Sequence, residues 1–205
     1  MYAEGVAWAR RTGDRQSERF GLTGLAAVAY HTGEPDQAAG LLDAAEASGS
    51  DEFTTAWLQT SRGRLELRAH PEGGVEYAER ALAYADKTQN DELRLDAYAL
   101  LASAHHALGR RDPAHAACDA FLERWQSVPY LSVALVEAAL VLVEDGRHAE
   151  LADAAALALP SPWADAACAL ADRRYDQAAA VLDTIPSIPF RDAVSELIPA
   201  PTGET

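Results

Sequence analysis

Gly109-Arg110-Arg111-Asp112-Pro113-Ala114 decides how this chain reads. The segment follows one apolar helical stretch and opens another. Glycine supplies the positive φ that ends a helix. A proline just inside the next helix does no harm, because the N–H it lacks would have no intrahelical partner there. Asp112, before Pro113, stands as an N-cap candidate. Beyond the turn, Ala114, Ala117, Cys118, Phe121 and Trp125 recur at the spacing of one buried helical face. The segment is therefore read as the tight turn of a helix–turn–helix hairpin.

Working outward, the same turn recurs as Gly33-Glu34-Pro35-Asp36-Gln37-Ala38, Gly146-Arg147-His148-Ala149-Glu150-Leu151 and Arg173-Arg174-Tyr175-Asp176-Gln177-Ala178. Ala69-His70-Pro71-Glu72-Gly73-Gly74 is a degenerate version. Positions 38, 74, 114, 151 and 178 are then equivalent, with gaps of 36, 40, 37 and 27 residues. Ala38, Leu41, Leu42 and Ala45 repeat the apolar face, as do Ala178, Val181, Leu182 and Ile185. Seven residues before four of the turns stand Ala26, Ala102, Ala139 and Ala166, small enough to let helix axes approach closely. At the N-terminus, Val6-Ala7-Trp8-Ala9-Arg10-Arg11-Thr12 parallels Leu82-Ala83-Tyr84-Ala85-Asp86-Lys87-Thr88. The chain is thus expected to begin inside the second helix of an earlier hairpin, as part of a longer protein.

Composition agrees with helices. Of 205 residues, 45 are alanine and 24 leucine, against three isoleucines. Alanine and leucine are favoured in helices, and the β-branched residues that favour strands are scarce. An all-β fold is excluded and a parallel α/β fold disfavoured. The net charge of −15 repels phosphate, so neither nucleic acid nor an anionic membrane is an expected partner. The longest apolar stretch, Leu131 to Val143, is too short to span a bilayer and contains Ser132 and Glu137. Cys118 and Cys168 form no CxxC pair and suggest neither zinc nor a disulfide scaffold. With no basic and apolar leader in Met1 to Gly5, a cytoplasmic location is expected.

The repeat resembles the tetratricopeptide repeat superfamily, whose period is 34 residues. Ala102, Gly109 and Ala114 fall where that family has small residues. The likeness covers about residues 14 to 185. Most of the family's consensus tryptophan, tyrosine and inter-repeat proline are absent. The variable repeat lengths are similar to divergent arrays in large actinobacterial regulators. The resemblance implies an all-α, right-handed α-solenoid of about five hairpins over residues 1–185. It also implies that first helices line a concave face that binds peptides or protein segments, or a neighbouring domain of the parent chain. By position that face would include Thr23, Tyr30, Gln59, Arg64, Asp96, Ser103 and His106, with Trp57 near it as an anchor. In the fourth hairpin the same positions are Val133, Val136, Leu140 and Val143. Residues 186–198 include the amphipathic run Phe190 to Ile198, expected to fold back as a cap over that apolar stripe. Residues 199–205 are expected to be a disordered tail.

Nothing points to chemistry. His105, His106 and His115 are the one histidine cluster, but adjacent histidines on a helix diverge by about 100° and do not converge on one ion. His31, His70 and His148 fall at turns and are read as solvated. No GxSxG, HExxH or phosphate-loop spacing occurs. Asp51-Glu52 and Asp91-Glu92 stand at helix starts, where they suit the macrodipole. Trp125 continues an apolar face and is read as core; Trp163 is expected to pack between hairpins. The expected role is a non-enzymatic interaction scaffold, the C-terminal part of a bacterial regulator, with no metal or cofactor. The alternative is a small-molecule sensor domain of such a regulator.

Overall fold

A computed structural model describes residues 2–49 and 51–199. Among them the chain is all-α, with twelve helices and no strand. They are α1 (Tyr2–Thr12), α2 (Arg15–His31), α3 (Pro35–Ala47), α4 (Glu52–Glu66), α5 (Pro71–Thr88) and α6 (Asp91–Ala107). After these come α7 (Arg111–Trp125), α8 (Ser132–Glu144), α9 (His148–Leu157), α10 (Pro162–Ala171), α11 (Tyr175–Thr184) and α12 (Ile188–Glu196). No helix among the described residues is long and apolar enough to cross a membrane.

The turns explain this segmentation. Gly33, Gly109, Gly146 and Arg173 all have φ between 59° and 79°. After each, the next N–H reaches back to close the preceding helix: Glu34 to the Ala29 carbonyl, Arg110 to His105, Arg147 to Leu142 and Arg174 to Ala169, at 2.8–2.9 Å. This bond satisfies a carbonyl that the helix end would leave bare. The register at Gly109 differs from expectation by two residues. Gly109 leaves Arg110 as the single linking residue, so α7 starts at Arg111 with Arg110 at the N-cap. Asp112 therefore lies in the first helical turn instead of capping it.

At four other helix starts a side chain caps the helix. Asp14, Asp51, Asn90 and Ser161 accept the backbone N–H three residues on, at 2.8–3.2 Å. Residues 38, 74, 114, 151 and 178 are each the fourth residue of α3, α5, α7, α9 and α11, and all five are buried. Ala26, Ala102, Ala139 and Ala166 are buried too. In the second pair Gly63 takes that role, because a Cβ there would run into Leu100 of α6 and sit 3.1 Å from Cβ of Tyr77.

Packing is sequential. α2, α4, α6, α8 and α10 touch one another in that order, and α3, α5, α7 and α9 each touch the helix before and the helix after. α1 packs on α2, and its Thr12 hydroxyl donates to the Trp8 and Ala9 carbonyls as Thr88 does to Tyr84 and Ala85 in α5. The largest core cluster runs from α6 to α12 around Phe121 and Trp125. Trp125 is buried as expected, and its indole N–H donates to the Ala154 carbonyl at 2.7 Å. α12 packs on α11, on α8 and, at the other end of the row, on α2. Of the expected tail 199–205, all but Pro199 lies outside the described residues.

Candidate functional site

Three successive helices of the row α2, α4, α6, α8 and α10, whose open side is here called the inner face, contribute one charged side chain each to a buried cluster. Arg64 closes α4, Asp96 lies in α6 and Glu137 in α8. Arg64 Nη2 is 2.6 Å from both Asp96 Oδ1 and Glu137 Oε2, and its Nε donates to Glu137 Oε2 at 3.0 Å. The Thr60 hydroxyl donates to Asp96. Burial opposes the charge on Arg64, but the two carboxylates outweigh it and hold its pKa well above the usual value. Burial pushes the Glu137 carboxyl above its ordinary range, and Arg64 offsets part of that. The planar guanidinium can serve two carboxylates at once, so the cluster ties α4, α6 and α8 together.

Beside it the inner face is closed by α12. His31, the last residue of α2, sits with Nδ1 3.0 Å from the Ser187 hydroxyl. Its ring centroid lies 5.4 Å from those of Trp163 and Phe190. Burial, with the Arg64 charge adding to it, pushes the His31 pKa down to about 4. His31 is thus a half-buried packing residue here, not the solvated turn residue expected. Trp163 does pack between helices of different pairs. Burial also raises the Tyr30 hydroxyl to about 12.

Away from α12 the inner face is open and aromatic. Phe20 of α2 has its ring centroid 5.1 Å from Trp57 and 6.5 Å from Phe53, both of α4, and 6.4 Å from Tyr2. Trp8 is 52% exposed and Phe20 41%. A cleft of about 540 Å³ opens between Tyr2, Trp8, Phe20 and Phe53. Behind it lies a more enclosed cavity of about 260 Å³, walled by Phe20, Phe53 and Trp57, with Arg64, Glu92 and Asp96 also in its lining. A separate cleft of about 430 Å³ runs along α12, lined by Tyr30, Ser103, His106, Glu137 and Phe190 among others.

The expected inner-face residues divide accordingly. Trp57, Arg64 and Asp96 meet at the enclosed cavity. Tyr30, Ser103 and His106 meet along α12, where His106 Nε2 is 2.8 Å from Glu144 Oε2. Thr23 is buried with its hydroxyl donating to the Arg19 carbonyl, and Gln59 lines none of the clefts described here. Phe20, Phe53, His31, Glu92 and Glu137 were not anticipated. Glu137 had a signal, since a single carboxylate in an apolar helix needs a partner. The aromatic residues had none, because Phe20 and Phe53 lie outside the repeated turns and their apolar stripes.

No group of three or more His, Cys, Asp or Glu suited to a metal occurs among the described residues. The chain matches no family model, no curated protein and no solved structure.

Proposed function

We propose that the chain is a tetratricopeptide-like, right-handed solenoid acting as a non-enzymatic interaction module of a cytoplasmic bacterial regulator. Its occupant is a basic segment of another protein, or of a neighbouring domain, seated by an aromatic or aliphatic side chain in the cleft beside Trp8 and Phe20. The observation that carries this reading is the exposure of those two rings in one cleft, which Tyr2 and Phe53 also line. Large apolar patches left in water mark contact surfaces, and aromatic residues dominate their energetics. The net charge of −15 favours a basic partner.

α12 supports the same reading from within the chain. It is a short amphipathic helix laid across the inner face, with Phe190 and Val194 buried. The inner face therefore accepts a segment of that kind. A display selection of peptides on the purified protein tests the proposal. Enriched peptides should carry a hydrophobic anchor beside lysine or arginine, and should be lost on a Trp8→Ala/Phe20→Ala variant. Equal enrichment on that variant would contradict it. A small-molecule sensor is the second reading, favoured by the enclosed 260 Å³ cavity behind the cleft.

A further inference from the structure

We propose that the enclosed cavity behind the aromatic cleft binds a cationic group, an ammonium or guanidinium, held between the aromatic rings and Glu92. This rests on the interaction reading above and names the part of the occupant that enters deepest.

Phe20 and Trp57 stand 5.1 Å apart with planes at 50°, and Phe53 flanks Phe20 at 24°. All three rings line the one cavity, and the negative faces of aromatic rings attract cations. The cavity lining carries Arg64 against Glu92 and Asp96, and His31 is held neutral near pH 7 by its burial. Arg64 is already shared between Asp96 and Glu137. Glu92 is different: it accepts a hydrogen bond from the Tyr130 hydroxyl at 3.3 Å, and it forms no salt bridge among the described residues. Its charge is offset by the N-terminal end of α6 but by no side-chain cation, beside an aromatic cavity large enough for an alkylammonium or guanidinium side chain. An anionic head would meet the carboxylates of Glu92 and Asp96 with Arg64 already committed, so anions are disfavoured.

Titration with phenethylammonium and with phenethyl alcohol, followed by tryptophan fluorescence and calorimetry, separates charge from shape. The ammonium should bind saturably and weaken with added salt. It should bind about fivefold more weakly to Glu92→Gln, a change at a half-buried residue outside the Arg64 cluster. Phenethyl alcohol should bind at least as weakly as the ammonium does to that variant. Equal binding of the two compounds, or unchanged affinity in Glu92→Gln, would overturn the inference. A Phe53→Leu variant gives an independent check: it removes a ring without touching any charge, and the ammonium should lose affinity while the alcohol changes little. Loss for both compounds alike would contradict a cation-selective cavity. The two proposals fail separately. Ammonium binding without any selected peptide sinks the protein-segment reading alone. Selected peptides without a cation, together with no ammonium binding, sink this one alone.

Discussion

His31 and Ser187 lie 156 positions apart in the chain, yet their side chains meet at 3.0 Å. That contact joins the end of α2 to the start of α12 and brings the two ends of the helical row together. Ile188 packs against Gly33 in the same place: a Cβ on Gly33 would come within 2.9 Å of the Ile188 Cδ1.

If α12 closes the row, removing it exposes the apolar inner surface of α8. Truncation after Ile185 should lower Tm by several degrees, and Phe190→Ala, at a buried ring, should cost about 3–5 kcal/mol. Urea denaturation of both proteins checks this. A truncated chain as stable as the full one would show that α12 contributes nothing to the core.

The same contact has a pH signature. The unfolded His31 titrates near its ordinary value of 6.5, whereas the folded ring is pushed down to about 4. Between those values the unfolded chain binds the extra proton, so stability falls as pH drops from about 6.5 to about 4 and levels off below. The loss attributable to His31 is up to about 3 kcal/mol. His31→Asn should flatten that part of the stability profile relative to the unaltered protein. An unchanged slope would place the imidazole in water. Glu137 acts with the opposite sign, since its raised pKa removes stability as pH rises through its titration, so the comparison must be made within the His31 pair.

The Arg64 cluster predicts a loss followed by recovery. Arg64→Met leaves Asp96 and Glu137 buried without a cation and should cost about 3–5 kcal/mol. Arg64→Met with Asp96→Asn and Glu137→Gln removes the stranded charges and should recover a large share. Double-mutant cycles on Tm and urea midpoint read the coupling. Additive effects would show that the three side chains act independently.

The turns predict a gain. Arg173 holds φ at 59°, where the equivalent turns have glycine. Arg173→Gly should stabilise the protein by about 0.5–1 kcal/mol, net of the entropy glycine adds to the unfolded chain. Gly109→Ala, at φ 66°, should destabilise it by a similar amount. Thermal melts of the two variants should move in opposite directions.

The sequence disclosed the turns and the buried stripes because both are local. A positive-φ residue, a following helix start and an apolar spacing all lie within a dozen positions. Equivalent residues from Ala38 to Ala178 accordingly occupy the same place in their helices. The aromatic cleft was not legible. It depends on which faces of α1, α2 and α4 meet, and Phe20 and Phe53 carry no periodic mark. The partnership of Glu137 with Arg64, 73 positions apart, was half legible. The need for a cation could be read from an apolar helix, but its identity required α4 and α8 to be brought side by side. His31 was misread for the same reason, since its burial comes from α10 and α12 rather than from its own turn.

The central claim is that the exposed Trp8 and Phe20 form the docking surface for a basic segment. It is tested most directly by the affinity of a display-selected basic peptide for the unaltered protein, for Trp8→Ala and for Phe20→Ala, measured by fluorescence anisotropy. The account predicts a loss of about tenfold or more for Phe20→Ala and a smaller loss for Trp8→Ala, with Tm nearly unchanged in the latter. Equal affinity across all three proteins would contradict it.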